Sequence, residues 1–209
     1  MNSQTNQTTI NTLKRIVSND DVVQPAAKKA KRSHQPPAAR PSQLVHAMYQ
    51  ACGASTKDVV AQAQHKFIEP TKEMIAAYTF EASKAVRENN LEALRELHAS
   101  GALLTCCNKF GDSLLNIACR RSHTQIVKFL LEEVKVTVYM KDDTGRIALH
   151  DACWTSSPNF EVVDLLLKTA PDLALIPDHR GHTPFDYTRA QDWGKWCDFL
   201  ASKKSLFQP

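Results

Sequence analysis

An all-α solenoid of about four helix-turn-helix units is the fold class this sequence predicts, and three observations predict it. Three stretches open on glycine and repeat one pattern: FGDSLLNIACRRSHTQIVKFLL around Gly111, GRIALHDACWTSSPNFEVVDLLL at Gly145 and GHTPFDYTRAQDWGKWCDFL at Gly181, at intervals of 34 and 36 residues. Each runs through a short apolar helix, a turn and a second helix. In two of them the second helix has the same apolar spacing, Ile126-Val127-x-x-Leu130-Leu131 and Val162-Val163-x-x-Leu166-Leu167, which is the stripe of a helix buried on one side. Apolar residues make up 43 % of the 209, enough to supply the core such a stack needs.

Residues 1–40 stand apart. They lack Phe, Trp and Tyr, show no helical or strand period, and carry seven Lys/Arg against two Asp, whereas residues 41–209 carry nineteen against twenty Asp/Glu. A segment so poor in apolar surface does not offset its ordering entropy, so a disordered tail is expected. Lys28, Lys29, Lys31 and Arg32 cluster between Pro25 and Pro36-Pro37, which hold the chain extended. The stretch PAAKKAKR resembles the short nuclear-import signals read by importin-α, and Lys14-Arg15 lies upstream at the spacing of their two-part version. That resemblance implies importin-α as a partner of the tail and a nuclear location, alone or shared with the cytoplasm. A nucleic-acid-associated regulator using the basic tail is the alternative. No aromatic residues interleave with these charges to stack on bases, and the near-neutral balance beyond residue 40 argues against a phosphate-binding surface on the folded part.

Residues 41–78 read as short helices. Pro41-Ser42 opens one with Leu44, Val45 and Met48 on a single face and Gly53 past its end, a second spans about Lys57 to Ile68, Glu69-Pro70 breaks it, and TKEM at 71–74 opens the next turn. Two roles are open: a packing element that covers the first repeat, which is favoured, or a separate docking piece. The repeats follow over residues 79–204. Thr79 to Ala102 forms the first unit, with Asn89-Asn90 at its turn, and a C-terminal tail is expected at 205–209.

Thr183-Pro184-Phe185, Ala148-Leu149-His150 and Leu115-Asn116-x-Ala118 each keep part of a G-x-T-P-L-H-x-A start, and the units they open resemble the ankyrin repeat, over roughly 125 of the 209 residues. The third unit departs by two extra residues in its turn TSSPN, and the fourth ends on Trp193, Trp196 and Phe199, which reads as a terminal cap. The resemblance implies a non-enzymatic protein-protein adaptor. Its partner surface would lie on the hairpin tips and the exposed side of each first helix: Lys109, Phe110, Asp112, Arg120 and Arg121 in the second unit; Asp143, Thr144, Arg146, Asp151, Trp154 and Thr155 in the third; His179, Arg180, His182 and Arg189 in the fourth. Phe110 and Trp154 with the surrounding arginines would form a groove for an acidic or phosphorylated protein segment. Trp154 has a second reading, buried under the lengthened turn.

Chemistry is otherwise thin. His150, Asp151 and Cys153 lie within four residues, yet Cys119 fills the matching slot of the second unit beside Asn116, not His. The resemblance gives His150 a backbone-binding role and Ala152-Cys153 a small-residue packing role. His179-x-x-His182 has only Asp178 and Asp186 nearby, fewer ligands than metal signatures supply, so no metal is expected. No phosphate-cradling glycine loop or nucleophile motif occurs, so no cofactor and no enzyme activity are expected. Six cysteines without a CxxC pair read as reduced thiols of an intracellular protein, and the sequence has neither a run of 18 apolar residues nor the apolar stretch of a secretory signal, so no membrane association is expected.

Overall fold

The computed structural model describes residues 39–208, and the basic cluster at residues 14–32 falls outside that range. Among the described residues every regular element is helical; the extended contacts are isolated bridges, Ile68 with Met140 and Cys107 with Ser113. None of these helices is long and apolar enough to cross a membrane.

Six of the ten α-helices among the described residues begin where the sequence supplies a side-chain oxygen for an otherwise unpaired N–H group. α1 is Pro41–Ala51, with proline at its first position. α2 (Thr56–Gln64), α3 (Lys72–Ala76), α4 (Phe80–Arg87) and α5 (Leu91–Ala99) are capped by the side chains of Ser55, Thr71, Thr79 and Asn90. α6 (Leu114–Arg120) is capped by Ser113, and α7 (Thr124–Lys128) runs on into a wider π-type turn over Phe129–Glu133, where the Val134 N–H donates to the Phe129 carbonyl at 3.1 Å. α8 (Ala148–Cys153) and α9 (Phe160–Thr169) complete the third unit, followed by a 3₁₀ turn at Pro171–Leu175. The fourth unit has only a 3₁₀ turn, Pro184–Tyr187, for its first helix, and its second is α10 (Trp193–Ser202).

The four units stack through one continuous core in which Val86, Leu94, Ile126, Leu130, Leu149, Leu166 and Leu200 are fully buried. The predicted cap is present: Trp196 is buried against the rings of Phe160, Phe185 and Phe199, with centroids 4.9, 5.8 and 6.2 Å away.

Residues 41–78 do not cover the first unit in the way the sequence suggests. They form a strap that runs back along the array. α1 packs on α10 and on Pro184–Tyr187 at the far end, burying Val45, Met48 and Tyr49. α2 packs on Pro171–Leu175, and just after it Lys66 Nζ reaches Asp172 Oδ2 at 2.7 Å. The Ile68 N–H donates to the Tyr139 carbonyl at 3.0 Å, and the strap meets the second unit at Cys107, whose N–H donates to the Met74 carbonyl at 3.4 Å. Residues 205–209 are not wholly a tail either: Lys204–Phe207 is a 3₁₀ turn whose Phe207 is buried and meets the Tyr49 ring edge-on at 5.5 Å.

Candidate binding face

Three hairpin tips project from the stack, and one local device builds each. Asn108 Oδ1 accepts from the N–H groups of Phe110 and Asp112 at 2.9 and 3.1 Å; Asp142 Oδ1 does the same for Thr144 and Arg146 at 2.9 and 2.8 Å, and Asp178 Oδ1 for Arg180 and His182, both at 2.9 Å. The glycine three residues on sits at φ of 78°, 81° and 81°, where a side chain is strained. Neighbouring tips are tied together by Asp143 N–H to the Phe110 carbonyl at 2.8 Å and His179 N–H to the Thr144 carbonyl at 3.0 Å. The contact is close: a Cβ on Gly145 would lie 2.9 Å from the His179 nitrogen. Burial alone would push both aspartates up, but the hydroxyl, N–H and guanidinium donors around Asp142 hold it below the usual carboxylate range, and the Tyr187 hydroxyl with the His182 and Arg180 N–H groups holds Asp178 at about 2.

In the second, third and fourth units the third residue of the first helix or turn closes a cap, using a different side chain each time. Asn116 Oδ1 accepts from the Ser113 N–H at 3.4 Å, His150 Nδ1 from the Ile147 N–H at 3.1 Å, and Asp186 Oδ2 from the Thr183 N–H at 2.8 Å. Since Nδ1 of His150 accepts, the ring is neutral with its proton on Nε2, which donates to the His182 carbonyl at 3.1 Å. Burial lowers the His150 pKa, opposed by that carbonyl and by Asp178. A base with a depressed folded-state pKa leaves the unfolded chain binding more protons below the ordinary value of 6.5, so stability falls as pH drops through that value, by at most about 1.4 kcal/mol per pH unit. Urea unfolding between about pH 7.5 and about pH 5.5 checks this; His150→Asn, which installs the amide that the second unit uses, is expected to flatten the profile.

The remainder of the cluster is structural too. Cys153 and Cys119 are buried, and burial pushes both thiols well above their ordinary range, so neither supplies a thiolate. Asp151 is fully buried and is not a surface contact: it accepts from Asn116 Nδ2 at 3.0 Å and from Arg120 Nε and Nη2, both at 3.0 Å. Arg120 also reaches Asp112 at 2.8 Å, so its charge is spent inside the molecule, and these carboxylates, Asp151 first, raise its pKa. Arg146 is likewise held by Asp142, at 3.2 and 3.1 Å. These pairings correct the arginine-rimmed groove, since two of its five arginines are held from within and a third, Arg180, lies 3.7 Å from Asp178 while its side chain stays largely in water.

What the face does present is aromatic. Trp154 is 55 % exposed and Phe110 51 %, so the turn does not bury Trp154. Arg146 lies 5.5 Å from the Trp154 ring centroid, Lys109 Nζ lies 4.9 Å from that of Phe110, and Tyr187 stands 5.9 Å from Trp154. The Tyr187 hydroxyl donates to Asp178 and accepts from Arg180. Tyr187 was not among the expected contact residues, although it occupies in the fourth unit the helix position of Asp151 in the third, and that register is the signal that finds it. Asp143, Thr144, His179, Arg180, His182 and Arg189 are exposed, as is Arg121, which pairs with no carboxylate among the described residues. Thr155 is half-buried, and its hydroxyl donates to the Ser157 carbonyl at 2.7 Å. Among the described residues no three His, Cys, Asp or Glu side chains converge as metal ligands, the His179 and His182 pair included.

No curated protein matches the chain. A family profile described as ankyrin repeats (3 copies) matches residues 82–176, from α4 in the first unit to the end of the 3₁₀ turn that closes the third. Residues 82–176 are therefore similar to ankyrin repeats, and the tips at Asn108 and Asp142 with the caps at Ser113 and Ile147 fall within that range.

Proposed function

We infer that this protein is a non-enzymatic adaptor that holds a partner protein on the face made by the hairpin tips and first helices. Ankyrin repeats are generally protein-protein interaction modules, and the observation that carries the reading is Trp154, a large aromatic exposed at a position where packing does not require it. The partner segment places an apolar side chain against Trp154 and Tyr187 and acidic or phosphorylated groups toward the exposed cations Arg121, Arg180 and Arg189. The basic tail supports import by importin-α and hence work in the nucleus.

Capture from nuclear extract by the intact chain and by Trp154→Ala tests the face. A loss of at least about 2 kcal/mol, roughly thirtyfold in affinity, is expected for the specifically retained protein. Thermal stability should not change, because the ring is largely in water. Identical captures mean that the face is inert. Replacing Lys28, Lys29, Lys31 and Arg32 by alanine tests the tail separately, and an unchanged nuclear fraction removes the import reading.

A further inference from the structure

Two of the ten prolines follow a hydroxyl-bearing residue, in Ser157-Pro158 and Thr183-Pro184, and the fold treats the two pairs oppositely. Thr183 is buried and its hydroxyl donates to Asp186 Oδ2 at 2.8 Å. Ser157 is exposed, on the lengthened turn that only the third unit has. The turn is pinned at both ends. Thr155 Oγ1 donates to the Ser157 carbonyl at 2.7 Å, and the Asn159 amide donates to the Ser122 carbonyl at 3.3 Å and to Thr124 Oγ1 at 3.0 Å. Between those anchors Pro158 needs no N–H partner and biases Ser157 toward extended backbone, so the hydroxyl and the ring after it are presented together.

Opposite the turn stand Arg120 and Arg121, and an open cleft of 470 Å³ separates them from Thr155, Ser156 and Ser157. Arg120 is committed to Asp112 and Asp151, whereas Arg121 has no carboxylate partner among the described residues. A hydroxyl followed by proline thus lines the same open cleft as a guanidinium with no carboxylate partner among the described residues.

We propose that Ser157 is the substrate of a proline-directed serine/threonine kinase and that Arg121 takes the phosphate. In the transfer, the Ser157 Oγ forms a bond to the γ-phosphorus of ATP, the bond from that phosphorus to the β-bridging oxygen breaks, ADP leaves and the hydroxyl proton passes to the kinase. The product gains a charge of about −1.5 to −2 and three acceptor oxygens beside Arg121, the conditions for a charge-assisted, two-pronged pair that draws the turn across the cleft.

The full chain is incubated with ATP and a mitogen-activated type of kinase, and the modified position is mapped by fragmentation mass spectrometry. One phosphoryl group on Ser157 is expected, absent in Ser157→Ala and in Pro158→Ala, with Thr183 unmodified. A folded chain that stays unmodified overturns the proposal, whether or not a peptide spanning residues 150–162 is phosphorylated, and so does modification of Ser156 in place of Ser157. Phosphorylated chain should melt about 2 °C or more above the unmodified chain, and Arg121→Ala should abolish that rise. An equal rise in both proteins, or none in either, overturns the pairing with Arg121.

Discussion

Arg120→Ala is expected to lower the unfolding free energy by about 3 kcal/mol, the lower end of the cost of breaking a buried ion pair, because water already reaches part of the guanidinium. The physical reason lies at Asp151, which is fully buried and would keep a single donor, the Asn116 amide at 3.0 Å. In a chain of this length that loss corresponds to a fall of about 6–12 °C in Tm, read by calorimetry. Asp151→Leu combined with Arg120→Met should lose less than the two single changes added together, since the double variant leaves no charge buried at position 151, although Asp112 still loses its partner. Full additivity would mean that Asp151 and Arg120 do not depend on one another. Arg120 therefore serves badly as a probe of partner binding. Its removal disturbs the α6 to α8 contact, and any lost interaction would be confounded with lost structure.

Met48→Ala is expected to cost about 2–5 kcal/mol, the range for truncating a buried methionine, and the position of the damage is as informative as its size. Met48 lies on the strap helix α1, which packs against α10 and the Pro184–Tyr187 turn. Amide-exchange protection should therefore drop in Trp193–Ser202, while Phe80–Arg87 and Leu91–Ala99 keep theirs. Protection lost first in those two helices would mean that the strap covers the first unit after all. The cap of a repeat array has to bury one apolar side and show water the other. Here the capping work at the C-terminal end is shared between Trp196 and a helix contributed from about 150 residues earlier in the sequence.

Most of the repeat architecture was legible because its signals are local. The glycine-led period was read directly, whereas the local devices behind it emerged with the structure: Asn108, Asp142 and Asp178 each stand three residues before a glycine with positive φ, and Thr79, Asn90, Ser113 and Asn159 each cap a helix by accepting from the N–H three residues on. On the binding face, exposure of Trp154 was one of two open readings, and the structure decided it at 55 %. Asp151 was misplaced as a contact residue for a definite reason. In a helical wheel an aspartate on the first helix faces solvent, and only the arrival of Arg120 and Asn116 from the preceding unit makes burial tolerable.

The sequence by itself determined the period, the number of units and the small-residue slots at Cys119 and Cys153. Each depends on contacts within a few residues or on a pattern that repeats. Tertiary structure alone decided where residues 41–78 lie, which arginines are spent internally, and that Tyr187 joins Trp154. The apolar stripe of Leu44, Val45 and Met48 says that α1 must bury one face, but hydrophobic burial is non-directional and carries no address. The address came from the fourth unit, where α10 and the turn at Pro184–Tyr187 offered an apolar surface that α1 covers.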